Sequence, residues 1–409
     1  MKNRWAVAVA GTVTMVCLGT VYSWSLFTKP LIANFGWTNT TTTLNFALAI
    51  FFLGVGAILG GRWQDRAGPR PVIVTGAVLW GLGNILAGLG TARLGAWWMY
   101  LTYGVVGGIG LGLGYVTPVA AVTKWFPDRR GLASGMVVMG FGLGAFVYNN
   151  VLNKIPAFAA TSQPGHVSTL MTTFVVSGVI FAVIGGLCAA YVTNPPPSAG
   201  TATATVATER DFAPAEAMRT WQFYALWLML FLNVTAGILF ISNAVPIMQD
   251  LTGVAEGRAR AVYGLLALFN GLGRFFWGAV SDRIGRNGAY ALIYGTQVVI
   301  FFAVGHVHSL GVVAALFGVV LLCYGGGFGT MPSFTADYFG TRFMGLIYGW
   351  ILLAWGIGGI AGPVFVSQVK DRTGSFSGAL PVIAVMLLVA TLLPLVTRRP
   401  KGEATSPPA

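Results

Sequence analysis

Charge is what this chain has least of. Lys, Arg, Asp and Glu together make up 9% of its 409 residues, against about 25% in an ordinary soluble domain. Only 11 residues are acidic and only 3 are histidine. That scarcity excludes a soluble globular enzyme and a disordered protein. Cysteine is equally rare. Cys17, Cys188 and Cys323 lie far apart inside apolar runs, so they form neither a disulfide framework nor a metal box. No Walker A pattern or nucleotide-binding segment occurs, which argues against ATP-driven work. No cofactor and no metal are expected.

What is present is apolar. The apolar share is 56%, and mean hydropathy is +0.75. Glycine accounts for 57 residues, about twice its usual share, and glycine within apolar spans lets helix backbones approach closely. A spanning helix needs about 20 residues. The composition therefore describes an all-α membrane protein whose medium is the lipid bilayer. The formal net charge of +13 implies no nucleic-acid partner here, because loops on the cytoplasmic side collect Lys and Arg. The N-terminal apolar run continues past residue 20 without a convincing cleavage site and reads as a retained helix.

Twelve apolar spans are predicted at 5–33, 42–63, 71–91, 96–122, 131–155, 169–193, 222–249, 260–280, 288–307, 310–336, 344–369 and 376–397. They divide the chain into a six-helix half over 1–193, a linker over 194–221, a second six-helix half over 222–397 and a tail over 398–409. The linker opens on Pro195-Pro196-Pro197 and carries mixed charge, as loops do. With the N-terminus inside, sixteen cations fall on inner segments and seven on outer ones, with Arg274 left within the eighth span. That asymmetry places both termini in the cytoplasm, and the membrane is expected to be the cell's inner (plasma) membrane.

The halves repeat. At a shift of 214 residues, Pro118 meets Pro332, Gly131 meets Gly345, Leu132 meets Leu346, and Gly135, Gly142 and Gly144 meet Gly349, Gly356 and Gly358. Chance would align two glycines at only about 2% of positions, given their abundance. At a shift of 217, Gly61-Arg62-Trp63-Gln64-Asp65-Arg66-Ala67-Gly68 meets Gly278-Ala279-Val280-Ser281-Asp282-Arg283-Ile284-Gly285. Two parallel repeats of six helices describe a carrier with a site between the halves near the bilayer midplane.

The doubled G-x-x-x-D-R-x-G pattern resembles the signature of the major facilitator superfamily. Its Asp, at the end of one helix, can pair with an Arg on a neighbouring loop and latch one state, or the segment can simply be a turn rich in cations.

All eleven acids lie in loops or near span ends, whereas Arg274 lies well inside a span. A cation at that depth costs several kcal/mol unless it is paired or faces water. No deep carboxylate is available, so the anion is expected to come from outside as substrate. A guanidinium suits a carboxylate because its planar fork donates two parallel hydrogen bonds. Asn270, one turn earlier on the same face, is a candidate to bind a second oxygen, to hold the Arg side chain or to bond a neighbouring helix. Tyr115 and Tyr324, in the fourth and tenth spans, either reach the ligand or bond backbone carbonyls. Lys29 and Lys370, near the outer ends of their spans, either draw anions towards an outward mouth or snorkel to lipid headgroups.

Phe269-Asn270-x3-Arg274-Phe275-x2-Gly278 resembles the corresponding helix of the oxalate/formate antiporters and the monocarboxylate transporters. So do Lys124-Trp125-Phe126-Pro127-Asp128-Arg129-Arg130-Gly131 and Tyr22-Ser23-Trp24-Ser25-Leu26-Phe27. In both groups that Arg binds a substrate carboxylate. The departures are informative. The oxalate carriers have a Lys in the eleventh span; the matching place here is near Ile351, in Trp350-Ile351-Leu352-Leu353-Ala354, with no charge. Where the monocarboxylate transporters have an Asp four residues before the Arg, this chain has Asn270. The Lys of their first span falls at about Thr28, one short of Lys29.

One deep cation balances one carboxylate. The expected function is therefore transport of a small monocarboxylate, lactate- or pyruvate-like, by proton-coupled symport and alternating access. The partners are the acid and a proton, the working unit is a monomer, and no catalysis is expected. Exchange of small carboxylates without protons is the alternative. The charge asymmetry also predicts that residues 198–215 face the cytoplasm. A cysteine placed at Ser198 should react only when the inner side is accessible, and labelling by an impermeant reagent from outside intact cells rejects the orientation.

Overall fold

A computed structural model describes residues 3–196, 211–373 and 379–400, with the side chains of 239, 242, 243, 360–373 and 379 outside the described residues. Among the described residues the chain is helical throughout, with no strand. Its long helices are α1 Arg4–Phe35, α2 Asn39–Ala67, α3 Pro69–Leu94, α4 Ala96–Trp125, α5 Arg130–Leu152, α6 Val167–Ala189, α7 Trp221–Thr252, α8 Glu256–Ile284, α9 Arg286–Ala303, α10 Leu310–Phe339, α11 Met344–Thr373 and α12 Ala379–Val396. Each coincides with one expected span. Nine helices among the described residues, α7 over its Trp221–Ile238 part, are long and apolar enough to cross a membrane, and Met344–Gly359 and Leu380–Val396 are shorter apolar stretches. Helix α8 is not among them; its central apolar stretch is interrupted by Asn270 and Arg274.

Local chemistry sets the ends. Thr38 and Thr220 accept backbone N–H bonds at the starts of α2 and α7, satisfying donors that a helix N-terminus leaves open. Gly253 ends α7 in the left-handed region at φ 66°, which only glycine adopts without a Cβ penalty. Only three residues then separate α7 from α8. Arg258 and Arg260, expected in or beside a loop, are therefore on the first turns of α8, where Arg260 pairs with Glu256. Helix α1 tightens to a 3₁₀ turn over Thr20–Trp24, at the aromatic-Ser-aromatic run.

The repeat seen in the sequence is repeated in the backbone. Gly68 and Gly285, which close the two copies of the motif, have φ 79°, ψ 171° and φ 80°, ψ 159°. Pro118 and Pro332 both lie inside helices, α4 and α10.

The principal contacts between the two sets of helices are α2 on α11 and α5 on α8. Both are glycine contacts. A Cβ on Gly61 would lie 2.1 Å from the Gly345 carbonyl oxygen, and one on Gly131 would lie 2.1 Å from that of Gly278. Such proximity makes backbone-to-backbone contact the main attraction where no hydrophobic force acts between lipid-immersed helices.

Each motif Asp reaches across one of these contacts. Asp65 accepts from the Gly345 and Leu346 N–H groups at 3.2 and 2.9 Å. Asp282 accepts from those of Gly131 and Leu132, both at 2.8 Å. The two carboxylates thus cap the N-terminal turns of α11 and α5, where the helix dipole favours negative charge. This corrects the expectation of an Asp–Arg latch in the first copy. Among the described residues Asp65 makes no ion pair, and its partner is a helix terminus that linear sequence does not bring near it. The second copy has both devices: Arg286 pairs with Asp282 at 2.8 Å and with Asp337 at 2.7 Å, and Arg130 pairs with Asp337 at 2.9 Å.

Removing one of these caps should loosen closure at this face. Asp282→Ala loses two charge-assisted hydrogen bonds, each worth about 1.5–3 kcal/mol. Ser134, wholly buried beside this contact and bonded to the Gly329 carbonyl, is the reporter. In a chain without its three native cysteines, a cysteine at position 134 should label with maleimide at least about tenfold faster when Asp282 is also replaced. Equal labelling rates would show that the cap does not hold the face closed.

Candidate functional site

Helix α8 carries Arg274 to the middle of the bundle, where it is 0% exposed. Glycines on both flanking helices make room for it. A Cβ on Gly135 of α5 would lie 2.5 Å from the Arg274 carbonyl oxygen, and one on Gly329 of α10 would lie 2.0 Å from it. Gly142 is the side-chain counterpart: a Cβ there would sit 3.0 Å from Arg274 Nε.

The guanidinium has little to hold. Nη1 donates to the Val138 carbonyl at 3.5 Å, the outer limit of a hydrogen bond. Nε and Nη2 are buried and unpartnered. Aromatic faces take the place of a counter-ion: the guanidinium carbon lies 4.8 Å from the Phe328 ring centre and 5.8 Å from that of Phe141, within cation–π range. Trp355 of α11 braces both rings, at 4.8 and 5.5 Å between centroids.

Further buried donors converge here. The hydroxyls of Tyr22, Tyr115 and Tyr348 have no hydrogen-bond partner among the described residues. Those of Tyr22 and Tyr115 lie close enough to interact electrostatically with Arg274, though not in hydrogen-bond geometry. Tyr115 packs edge-on against Phe141 and Trp355, at 5.0 and 5.3 Å. Trp277 Nε1, one turn after Arg274, is buried and lies beside the Cys323 thiol.

The structure brings together most of the residues singled out in the sequence. Tyr115 and Tyr324 are both buried and both feel the charge of Arg274. Tyr324 packs on Gly237 of α7, and its carbonyl accepts from Asn233 Nδ2 at 3.1 Å. Asn270 lies against Gly325 of α10, and its Oδ1 is buried without a partner. No hydrogen bond joins it to Arg274 or to a neighbouring helix among the described residues. Lys29 is exposed. The side chain of Lys370 lies outside the described residues.

Tyr22, Phe141, Phe328, Tyr348 and Trp355 were not singled out as site residues. Tyr22 belongs to the aromatic-Ser-aromatic run, which marked a resemblance without a role. The other four look like any aromatic in an apolar span until the helices are packed, because nothing in their own helix distinguishes a ring facing Arg274 from one facing lipid.

A twelve-helix bundle with charge at its ends and one buried cation at its centre defines a membrane carrier rather than a catalyst. Residues 9–363 match the Major Facilitator Superfamily, and the chain belongs to that family of multi-span membrane transporters. It is 30% identical over 396 residues to the oxalate:formate antiporter of Oxalobacter formigenes, covering 96% of this chain and 91% of that one. It is 25% identical over 448 residues to apicoplast pyruvate carrier 1 of Toxoplasma gondii, covering 86% and 81%. The E. coli fucose:proton symporter FucP shares the fold, with TM-score 0.71 at 16% identity over 98% of this chain and all of that one. So does the human organic anion transporter MFSD10, with TM-score 0.71 at 14% identity over 96% and 100%.

Proposed function

We propose that this carrier moves a small monocarboxylate, lactate- or pyruvate-like, across the inner membrane, with both termini in the cytoplasm. The observation that carries the reading is Arg274: a wholly buried cation with two unpartnered N–H groups and no carboxylate beside it among the described residues. A carboxylate entering the centre of the bundle takes two parallel bonds from the guanidinium. Tyr22 and Tyr115 are placed to donate to its remaining lone pairs or to a 2-oxo or 2-hydroxyl group. Asn270, Tyr324 and Lys370 complete the proposed set, the last at the outer mouth. Transport follows from rocking of 1–193 against 222–397, joined by the 194–221 linker, about this centre. The glycine contacts of α2 with α11 and of α5 with α8 are the surfaces that part.

Proton symport is the proposed coupling. A carboxylic acid with pKa near 4 is almost wholly anionic at neutral pH. Carrying that anion inward against an inside-negative potential costs about 2.3 kcal/mol per 100 mV, and one accompanying proton removes the cost. Likeness to an oxalate:formate antiporter favours a second reading, exchange without protons. The two separate in proteoliposomes. Symport predicts uptake driven by an imposed pH gradient into vesicles free of substrate. Uptake indifferent to the gradient but stimulated by preloaded anion assigns the exchanger.

The site is tested at Arg274. Truncating one partner of a buried charged pair costs roughly 2–5 kcal/mol, so Arg274→Ala should weaken substrate binding about 30-fold to several thousand-fold. Arg274→Lys keeps the charge without the fork and should retain weak transport at most. Asn270→Ala should cost about 0.5–1.5 kcal/mol, one neutral hydrogen bond. All three variants should reach the membrane, since none leaves a new buried charge. Near wild-type binding by purified Arg274→Ala sinks the site.

A further inference from the structure

The contacts of Arg274 bear on a step that substrate binding does not explain. Any carrier that performs net transport must return to its starting face without substrate. On that return the occluded centre closes around Arg274, and a desolvated cation without a counter-charge raises the barrier. A carrier that cannot lower it crosses only when loaded, which makes it an obligatory exchanger.

Among the described residues the protein's own contacts to the guanidinium are the Val138 carbonyl, at the limit of hydrogen bonding, and the faces of Phe328 and Phe141, with the Tyr22 and Tyr115 hydroxyls in electrostatic reach. The two rings come from opposite sides of the interface, Phe141 on α5 and Phe328 on α10. Each presents the negative face of its quadrupole, and the attraction grows when the cation is desolvated. Trp355 holds both rings in place. Gly142 leaves the space in which the guanidinium lies beside Phe141.

We propose that Phe141 and Phe328 act as the counter-charge of Arg274 on the empty return, and so give this carrier net transport where an unscreened cation would allow exchange alone. The proposal rests on the reading of Arg274 as the carboxylate's partner. On the loaded crossing the carboxylate neutralises the guanidinium, and the rings contribute little. Removing their π faces therefore slows the empty return selectively. The rings are positioning residues that act through Arg274, and Leu in their place keeps apolar bulk without a quadrupole.

The full chain is reconstituted, with labelled pyruvate, lactate, formate and oxalate as probes. Net uptake into vesicles free of substrate is compared with exchange into vesicles preloaded with the same unlabelled acid. Phe328→Leu should lower net uptake about 2-fold to 30-fold, the range expected for one cation–π contact, and leave exchange within about twofold of wild type. Phe141→Leu should act in the same direction and less, because its ring is farther away. Phe328→Tyr keeps the π face and should restore the wild-type ratio. Equal loss of both rates in Phe328→Leu, an unchanged ratio, or a wild type that exchanges without net uptake overturns the proposal. If Phe328→Leu fails to assemble, an unchanged ratio in Phe141→Leu does the same. Loss of binding in Arg274→Ala together with an unchanged ratio in the Phe variants overturns this proposal and leaves the substrate site standing. Wild-type binding by Arg274→Ala, or transport of none of the four acids, removes the site reading and this proposal with it.

Discussion

A guanidinium held in the middle of a membrane protein, with no carboxylate beside it among the described residues, is the constraint around which this structure is arranged. Isolating such a charge from water is expensive, and the protein meets that cost with weak contacts of several kinds. One carbonyl lies at the edge of hydrogen-bonding distance, and two aromatic faces lie within cation–π range. Three phenol oxygens without a hydrogen-bond partner among the described residues stand in the same region. An acid on a neighbouring helix would compete with a ligand's carboxylate for the same N–H groups. The residues that surround it instead leave its fork available.

Glycine is what allows this arrangement. Gly135 and Gly329 bring α5 and α10 against the backbone of α8 at Arg274, and Gly142 leaves space for the guanidinium itself. The same residue type governs the two contacts between the sets of helices, at Gly61 with Gly345 and at Gly131 with Gly278. At both contacts an Asp from one set caps a helix of the other. A carboxylate bound to the N–H groups of a helix terminus is held firmly when the surfaces touch and is readily solvated when they part. That makes it suited to a contact that must break in each cycle.

The two caps are related by the repeat, but their surroundings are not. Around Asp282, Arg286 and Arg130 converge on Asp337. Asp337 has Thr123 at its repeat-related position, so the first copy cannot build the same network. Lys124 stands there instead, within electrostatic reach of Asp65 and of Asp211. Asp211, near the end of the linker, accepts from the Thr341 and Arg342 N–H groups at 2.9 and 3.2 Å. The second cap is thus held by a compact ion network, and the first has a single lysine between two carboxylates.

The sequence by itself determined the helical class, the number and order of spans, the internal repeat and the special status of Arg274. All of these depend on properties that are local or periodic: apolar length, cation distribution, glycine register, and one charge where apolar residues should be. The alignment of Gly68 with Gly285 was visible too, and the structure gives both a positive φ at a helix end, where glycine carries no Cβ penalty. Only the tertiary structure decided which atoms those residues meet. Among the described residues Asp65 has no Arg partner, because its neighbour in space is the start of α11, some 280 residues away in sequence. Tyr22, Phe141, Phe328, Tyr348 and Trp355 surround Arg274 from four other helices, and each lies in an apolar run where an aromatic ring is unremarked. Their shared role arises from helix rotation and crossing. Those are fixed by backbone contacts at glycines, and they leave no trace in the pattern of any one span.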